Sequence, residues 1–181
     1  ISICSLKKKI IKMKLNIGGH IVKEGWKILN IQNREGVDFK GDISDLSQFE
    51  DNSIDEIYAS HVVEHVPRNK IDITLKGIHR VLKSSGKFYI SVPDLDILFH
   101  TFRSSIAPMK IKKHILTMIF GGQVDQYDYH YYGYSFDILE DYLKSAGFTV
   151  IKKVESFGLY NDTSEFKPYG FPISLNVIAK K

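Results

Sequence analysis

The sequence of 181 residues contains a single cysteine, Cys4, only five prolines and no long apolar run. One cysteine excludes a disulfide-stabilised fold and a zinc site built from several thiolates. No segment approaches the roughly 20 apolar residues that a membrane-spanning helix needs. Hydrophobic residues make up 43% and charged residues 25% of the chain, which excludes intrinsic disorder. These absences predict a soluble, cytoplasmic protein.

The folded part of the sequence also lacks an excess of basic charge. The net charge is +4, but residues 1–14 hold five lysines and no acid, which leaves 20 basic and 21 acidic residues in the other 167. Binding to nucleic acid needs a basic surface, so we expect no nucleic-acid partner. We expect residues 1–12 to be a basic extension, either non-native or an amphipathic helix. Residues 13–181 are predicted to form a single domain.

Short apolar segments recur along the chain and predict strands. These strands are predicted at 14–17, 27–31, 54–59, 87–92, 148–154 and 173–179. Several of the segments are apolar on both faces, as expected for strands that other layers cover on both sides. Only about ten residues separate the first strand from the second, fewer than a helical crossover needs. The first crossovers are therefore predicted to be loops or single turns.

Helical patterns separate the later strands. Apolar residues at helical spacing predict a helix over 71–82, which Gly86 is placed to help end. A second helix is predicted with Ser135 as its N-cap and Gly147 at its end. The segment 95–120 is apolar and predicted to be helical. The alternation of strands and helices indicates an α/β fold.

The first strand ends in two glycines, Gly18 and Gly19. Glycines at the carboxyl end of the first strand let a ligand approach the backbone, and open α/β sheets bind ligands at that edge. A tight turn without a ligand is the alternative interpretation. Two glycines alone do not distinguish these interpretations.

An ordered set of further motifs follows the glycine pair. It comprises Gly25-Trp26, Gly36-Val37-Asp38, Gly41-Asp42-Ile43, Ser60-His61-Val62-Val63-Glu64-His65, Ser91-Val92-Pro93-Asp94, Gly121-Gly122-Gln123 and Tyr127-Asp128-Tyr129-His130. From residue 14 onward, this order resembles the small class I S-adenosylmethionine-dependent methyltransferases of the methyltransferase type 11-like kind. The resemblance implies a Rossmann-like three-layer sandwich. Its sheet would be mostly parallel with an antiparallel last strand, and its first crossovers would have reduced helices.

The same resemblance implies S-adenosylmethionine as cofactor and S-adenosylhomocysteine as product. The implied cofactor-binding residues are Gly18, Gly19, His20, Gln32, Asp42, Ile43, Ser60 and His61. Asp42 would accept a hydrogen bond from the adenine amino group, and the Ile43 amide would meet a ring nitrogen. A turn residue or helix cap is the alternative role for Asp42. Gln32 stands where the family usually has an acid, so the charge-assisted contact with the ribose would be lost.

The segment His61-Val62-Val63-Glu64-His65 also spells the H-x-x-E-H signature of inverted zinc peptidases, with Glu140 as a distant third ligand. That chemistry needs both histidines on one face of a sustained helix. Here an apolar strand is predicted to end at Ser60, and Pro67 limits any helix that follows. We therefore expect a strand-to-helix corner without a metal site.

The loop 123–134 is rich in tyrosines and also holds Asp128 and His130. Loops carry functional residues disproportionately, and tyrosines suit a pocket that is partly apolar and partly hydrogen-bonding. The loop is therefore predicted to form the acceptor side of an active site. His130 is the predicted catalytic base because histidine titrates near neutrality, with Asp128 as its partner and His61 as second choice. A surface loop pinned by aromatic residues, with His130 as a hydrogen-bonded prop, is the alternative.

Together these features predict methyl transfer to an unidentified small or mid-sized acceptor by in-line displacement. A catalytically degenerate binding module of the same fold is the alternative that Gln32 favours. A nicotinamide-dependent oxidoreductase is disfavoured because the sequence lacks G-x-G-x-x-G after the first strand. The expected partner is the acceptor molecule, and the oligomeric state is not readable from the sequence.

Overall fold

A seven-stranded mixed sheet forms the centre of the protein in the computed structural model, which describes residues 12–181. Its strands are β1 (Lys14–Ile17), β2 (Trp26–Asn30), β3 (Phe39–Lys40), β4 (Ile54–Ser60), β5 (Leu82–Pro93), β6 (Val150–Val154) and β7 (Ser174–Lys180). They lie in the order β3-β2-β1-β4-β5-β7-β6. The first five pair in parallel, whereas β7 runs antiparallel to both β5 and β6. The predicted α/β class and antiparallel last strand are confirmed.

The crossovers in the first part of the sheet contain turns in place of helices. Within the part of the chain that the structure describes, no helix lies between β1 and β4. The predicted reduction of these crossovers is therefore confirmed. The two-residue strand β3 was not predicted, because so short a segment carries no periodicity. The predicted basic extension over residues 1–12 lies outside the described residues except for Lys12.

Among residues 12–181 the α-helices are α1 (Ile71–Val81), α2 (Leu95–Arg103), α3 (Met109–Phe120) and α4 (Phe136–Ser145). Helix α1 runs directly into β5, because Leu82 already pairs with Ile54 of β4. Gly86 consequently lies inside β5, and its predicted role in ending the helix is wrong. Ser135 occupies the N-cap position of α4, but its hydroxyl contacts Asp137 and makes no backbone cap. None of the helices among residues 12–181 combines the length and apolar character that crossing a bilayer requires.

The two faces of the sheet are covered differently. Aliphatic side chains fill one face beneath α1 and α4. The other face carries an aromatic cluster of Trp26, Tyr58, Tyr89 and Tyr160, and is covered by the largely non-helical segment 155–173. The prediction that several strands are apolar and covered on both faces is therefore confirmed, although aromatic residues with hydroxyl groups supply much of the second face.

The covering segment supplies polar partners to that second face. Asp162 accepts a hydrogen bond of 2.8 Å from the Tyr58 hydroxyl. The Asn176 amide donates to the backbone oxygen of Ser164 at 3.0 Å. Buried polar side chains are tolerated where such partners are present, which explains how Tyr58 and Asn176 can be buried on this face.

Candidate functional site

A cavity of about 690 Å³ opens at the carboxyl ends of β1, β2 and β4. Its wall includes Ile17, Gly18, Asn30, Gln32, Arg34, Asp42, Ile43, His61, Val62, His65, Lys70 and, from the loop after α3, Val124, Asp125, Gln126, Tyr127, Asp128 and Tyr131. Small-molecule sites commonly have volumes of about 300–1,000 Å³. This edge of the sheet is also where open α/β folds bind ligands. The cavity is therefore the candidate site.

The glycine turn after β1 forms one end of the cavity. Gly18 lines the wall with a φ of 75°, and a Cβ there would lie 2.5 Å from Val62. The Asn30 side-chain amide donates to the carbonyl oxygens of Gly18 and Gly19, each at 3.1 Å. Gly19 and His20 are not part of the cavity wall. Of the three residues predicted at this turn, the structure brings only Gly18 to the cavity.

Asp42 and Ile43 stand next to each other on the wall after β3. The Asp42 Oδ1 atom accepts the Ser44 N–H at 2.7 Å. Asp42 therefore serves as a turn residue and also faces the cavity, so both roles that were considered for it fit its position. Among residues 12–181, no acceptor takes the backbone N–H of Ile43. This pair offers a ligand one carboxylate acceptor and one amide donor.

Two further predicted cofactor residues take different positions. Gln32 lines the cavity, two residues beyond the end of β2, and its N–H donates to Asn30 Oδ1 at 2.9 Å. Ser60 does not line the cavity, and its hydroxyl lies 3.4 Å from Asp162. Successive strand residues point to opposite faces, so Ser60 shares the face of Tyr58 and does not form the predicted floor.

His61 lines the cavity at the corner where β4 ends. Its backbone is in the left-handed region, with a φ of 53°. Its Nδ1 lies 3.1 Å from Glu64 Oε1, and its Nε2 lies 2.9 Å from the Ser174 hydroxyl oxygen. A single 3-10 turn over Val63–His65 follows, so the predicted corner in place of a sustained helix is confirmed.

Glu64 lies almost wholly buried directly behind this corner, with 1% of its surface exposed. Burial alone would raise the pKa of its carboxyl group. The contact with His61 and the charges of His61, His65 and His130 outweigh burial and lower that pKa. The backbone oxygen of Glu64 also accepts the Tyr131 N–H at 2.8 Å. Glu64 therefore connects the corner after β4 to the tyrosine-rich loop.

The tyrosine-rich loop begins at a turn that requires glycine. Gly121 has a φ of 84°, and a Cβ there would lie 2.1 Å from the backbone oxygen of Asp128. Residues 124–128 then line the cavity. Tyr127 and Tyr131 also face it, whereas Tyr134 is fully buried in the main core. The loop thus forms part of the cavity wall, and the buried Tyr134 also anchors it to the core, as the alternative interpretation expected.

His130 does not reach the cavity wall. Its Nδ1 lies 3.0 Å from the Met118 backbone oxygen, and its ring packs edge-on against His65 with centroids 4.7 Å apart. Burial lowers its pKa, and the positive charges of His65 and His61 add to that effect, against the opposing charge of Glu64. Asp128 lines the wall, but within residues 12–181 it shares no hydrogen bond with His130. The predicted Asp128–His130 pair is therefore not formed.

Comparison with known proteins adds to this geometry. Residues 17–90, from the end of β1 into β5, match the family described as methyltransferase domain. The predicted resemblance to the class I methyltransferases is confirmed. Comparison with curated proteins gives no match.

Several solved structures share the methyltransferase fold over almost the whole chain. One is a SAM-dependent methyltransferase from Archaeoglobus fulgidus, with 18% identity, a TM-score of 0.58, and coverage of 94% of this chain and 86% of that one. Another is 1,6-didemethyltoxoflavin-N1-methyltransferase from Burkholderia thailandensis, with bound 1,6-didemethyltoxoflavin and S-adenosylhomocysteine. It has 16% identity, a TM-score of 0.59, and coverage of 93% of this chain and 70% of that one. At these identities the likeness shows the fold alone.

Some residues on the wall of the cavity were not predicted from the sequence. Asn30 ends an apolar strand with a polar side chain, a signal that could have marked it. Arg34 and Lys70 add two cations to the wall, and nothing in their local sequence marks them. Glu140, considered as a zinc ligand, instead forms an ion pair of 2.9 Å with Lys144 on α4.

Proposed function

We propose that the protein is an S-adenosylmethionine-dependent methyltransferase that acts on a small or mid-sized acceptor. The observation that carries this proposal is the cavity at the carboxyl ends of β1, β2 and β4, formed largely by the segment that matches the methyltransferase domain. The neighbour from Burkholderia thailandensis holds S-adenosylhomocysteine and a small heterocycle. A site for two small molecules is consistent with the volume of the cavity.

The residues present fit an adenosyl group. Asp42 presents a carboxylate to the cavity, and the adjacent Ile43 presents a backbone N–H without an acceptor among the described residues. An acceptor next to a donor matches the amino group and ring nitrogen on one edge of adenine. Gln32 would take one ribose hydroxyl through its amide, and the backbone at Gly18 leaves room for the methionine part. When bound, the cofactor would supply an electrophilic methyl group for in-line displacement by the acceptor.

The acceptor is proposed to lie against residues 124–128 at the other end of the cavity. The chain would position the acceptor and exclude water, which are the main contributions of a protein to such a displacement. An acceptor that must lose a proton needs a base within hydrogen-bond reach. His61 lines the cavity, but its Nδ1 contacts Glu64 and its Nε2 contacts Ser174, so it would have to release one of these contacts to act as the base. His130, the first choice from the sequence, stands behind the wall. The cytoplasmic location and the single domain over residues 13–181 stay predictions.

One alternative function stays open, a binding module of the same fold that holds the cofactor without turnover. The Gln32 amide favours it, because an amide lacks the charge-assisted contact that an acid makes with ribose hydroxyls. Methyl transfer to any acceptor would exclude this alternative.

Calorimetric titration with S-adenosylmethionine, S-adenosylhomocysteine and NAD in parallel tests the proposal. We expect the first two to bind with one site per chain and NAD not to bind. The Asp42→Ala variant should weaken S-adenosylmethionine binding by about tenfold or more, since it removes a hydrogen bond to a charged acceptor.

Asp45→Ala is the matched control for that variant. Asp45 accepts the Ser47 N–H at 3.0 Å, the same local bond that Asp42 makes with Ser44, but it does not line the cavity. Any loss that comes from the turn alone should therefore affect both variants equally. Equal affinities in the two variants, or binding of NAD alone, would contradict the proposed cofactor site.

A further inference from the structure

We propose that Glu64, His65 and His130 form a binding site for a first-row divalent metal ion such as Zn²⁺. One carboxylate oxygen and one ring nitrogen from each histidine lie within 4.8 Å of one another. This set differs from the one that the H-x-x-E-H signature suggested. His61 contacts Glu64 but is not one of the three residues. The third residue is His130 of the tyrosine-rich loop, and not Glu140.

Hydrogen bonds hold both histidines in the form that binds metals. The Nδ1 atom of His65 lies 3.1 Å from the Tyr129 backbone oxygen, and that of His130 lies 3.0 Å from the Met118 backbone oxygen. A carbonyl oxygen can only accept, so each Nδ1 carries the proton. In the neutral form of each ring, Nε2 is then the atom with the free lone pair. Metal-binding histidines typically donate their other N–H to a carbonyl or carboxylate in this way.

The carboxylate of Glu64 is the independent observation that points to a cation. The side chain is 1% exposed, and within residues 12–181 neither oxygen receives a hydrogen bond of good geometry. The contact of 3.1 Å with His61 Nδ1 involves Oε1. Oε2 therefore has no partner, although a buried charge without one is costly.

When both rings are neutral, two ring nitrogens and one carboxylate oxygen bring three lone-pair groups within 4.8 Å of one another. Apart from the 3.1 Å contact between His61 Nδ1 and Oε1, no donor side chain in the part of the chain that the structure describes reaches the Glu64 carboxylate. A divalent cation would satisfy all three groups at once. Nitrogen and oxygen ligands of this kind bind zinc and its first-row neighbours, and do not suit calcium or magnesium. His61 would act as the outer partner that orients the carboxylate.

The site lies at the wall of the cavity, because His65 lines it. Three protein ligands leave at least one coordination position for an exogenous group. We infer that this position would take an oxygen or nitrogen atom of the acceptor, and this step rests on the proposed function. The metal site itself does not depend on it.

Metal titration of the full, untagged chain after treatment with a chelator tests the site. Co²⁺ is added first and followed by visible absorption, and Zn²⁺ is then used to displace it. We expect one Co²⁺ per chain and displacement by Zn²⁺. The His130→Ala variant should lower the Co²⁺ affinity by about 100-fold or more. Loss of a residue that only orients a metal ligand typically costs about 10- to 100-fold, and loss of a ligand should cost at least as much.

His114→Ala is the matched control. His114 lies within α3, and its Nδ1 shares a hydrogen bond of 2.6 Å with the Tyr169 hydroxyl, but it is not part of the cluster. Its removal should leave Co²⁺ affinity unchanged. Glu64→Gln keeps the shape of the buried side chain and should weaken binding as well, and circular dichroism establishes whether each variant is folded.

Absence of Co²⁺ and Zn²⁺ binding to the folded chain would overturn the metal site. Equal affinity in the wild type and folded His130→Ala would overturn it too. Titration with S-adenosylmethionine is measured separately on metal-free protein, so that failure of the cofactor proposal and failure of the metal proposal give different results.

Discussion

The two ends of the cavity are built in different ways. At the proposed cofactor end, the contacts are local: the Asn30 amide holds the Gly18 carbonyl twelve residues away, and Asp42 holds the Ser44 N–H two residues away. At the proposed acceptor end, His65 contacts the backbone of Tyr129 across 64 positions of sequence. The cofactor end is formed by the turns that directly follow β1, β2 and β3. The acceptor end forms only when segments that are distant in sequence have packed together.

This difference predicts that the two ends can be disrupted separately. Substitutions at the acceptor end should alter the loop 121–131 and leave cofactor binding intact. Substitutions at the turn after β1 should weaken cofactor binding and leave the loop 121–131 unchanged. The following variants test this separation, from the largest expected effect to the smallest.

Gly121→Ala should have the largest effect. The new Cβ would lie 2.1 Å from the Asp128 backbone oxygen, at a φ of 84°. The left-handed backbone costs about 1–2 kcal/mol for alanine and the steric overlap about 1–3 kcal/mol. Chemical denaturation should show a loss of about 3 kcal/mol in the free energy of unfolding, while the folded fraction still binds S-adenosylmethionine.

Gly170→Ala is the control for this variant, since Gly170 has a φ of 82° and a Cβ there would have no neighbouring atom within 4 Å. It should lose only about 1–2 kcal/mol, the cost of the left-handed backbone. Equal losses in the two variants would show that Asp128 does not restrict the turn.

Asn30→Ala should have the next largest effect, at the cofactor end. Its loss removes the donor to the Gly18 and Gly19 carbonyl oxygens, and each such hydrogen bond contributes about 0.5–1.5 kcal/mol. We expect lower stability in chemical denaturation and weaker S-adenosylmethionine binding in calorimetry. Asn33→Ala, at an exposed neighbouring position, should change neither, and a similar loss there would contradict the role of Asn30.

Gln32→Glu should have the smallest effect and the opposite sign. A carboxylate at this wall position would regain a charge-assisted hydrogen bond to ribose. The expected gain in S-adenosylmethionine affinity is about fivefold, or about 1 kcal/mol. Gln126→Glu adds the same charge to the loop side of the same cavity and should have less effect. An equal gain in both variants would indicate general attraction of a cationic ligand and no ribose contact.

The sequence pattern predicts a strand well where its apolar segment is bounded by local turn signals. The predicted and observed bounds of β1 agree at Lys14–Ile17. The start of β5 could not be predicted, because Gly86 is a local signal for a helix end, whereas the pairing of Leu82 with Ile54 extends the strand past it. Long-range pairing overrides the local preference there.

The same physical distinction applies to the site. Gly18, Gln32 and Asp42 follow strands whose carboxyl ends share one edge, so their place on the wall follows from the strand pattern. The contact between His65 and His130 depends on how α3 and the loop pack behind β4. No local periodicity encodes that contact, so His130 was expected on the wall although it lies behind it.

The position of β7 in the sheet has a consequence for folding kinetics. β7 is the last strand along the described chain, yet it lies between β5 and β6. Within residues 12–181, β6 has no strand neighbour other than β7, so β6 cannot join the sheet until residues 174–180 have paired with β5. Non-local pairing of this kind slows folding. During synthesis on a ribosome, the edge of β5 therefore stays unpaired until β7 has emerged, and an unpaired strand edge is prone to aggregation.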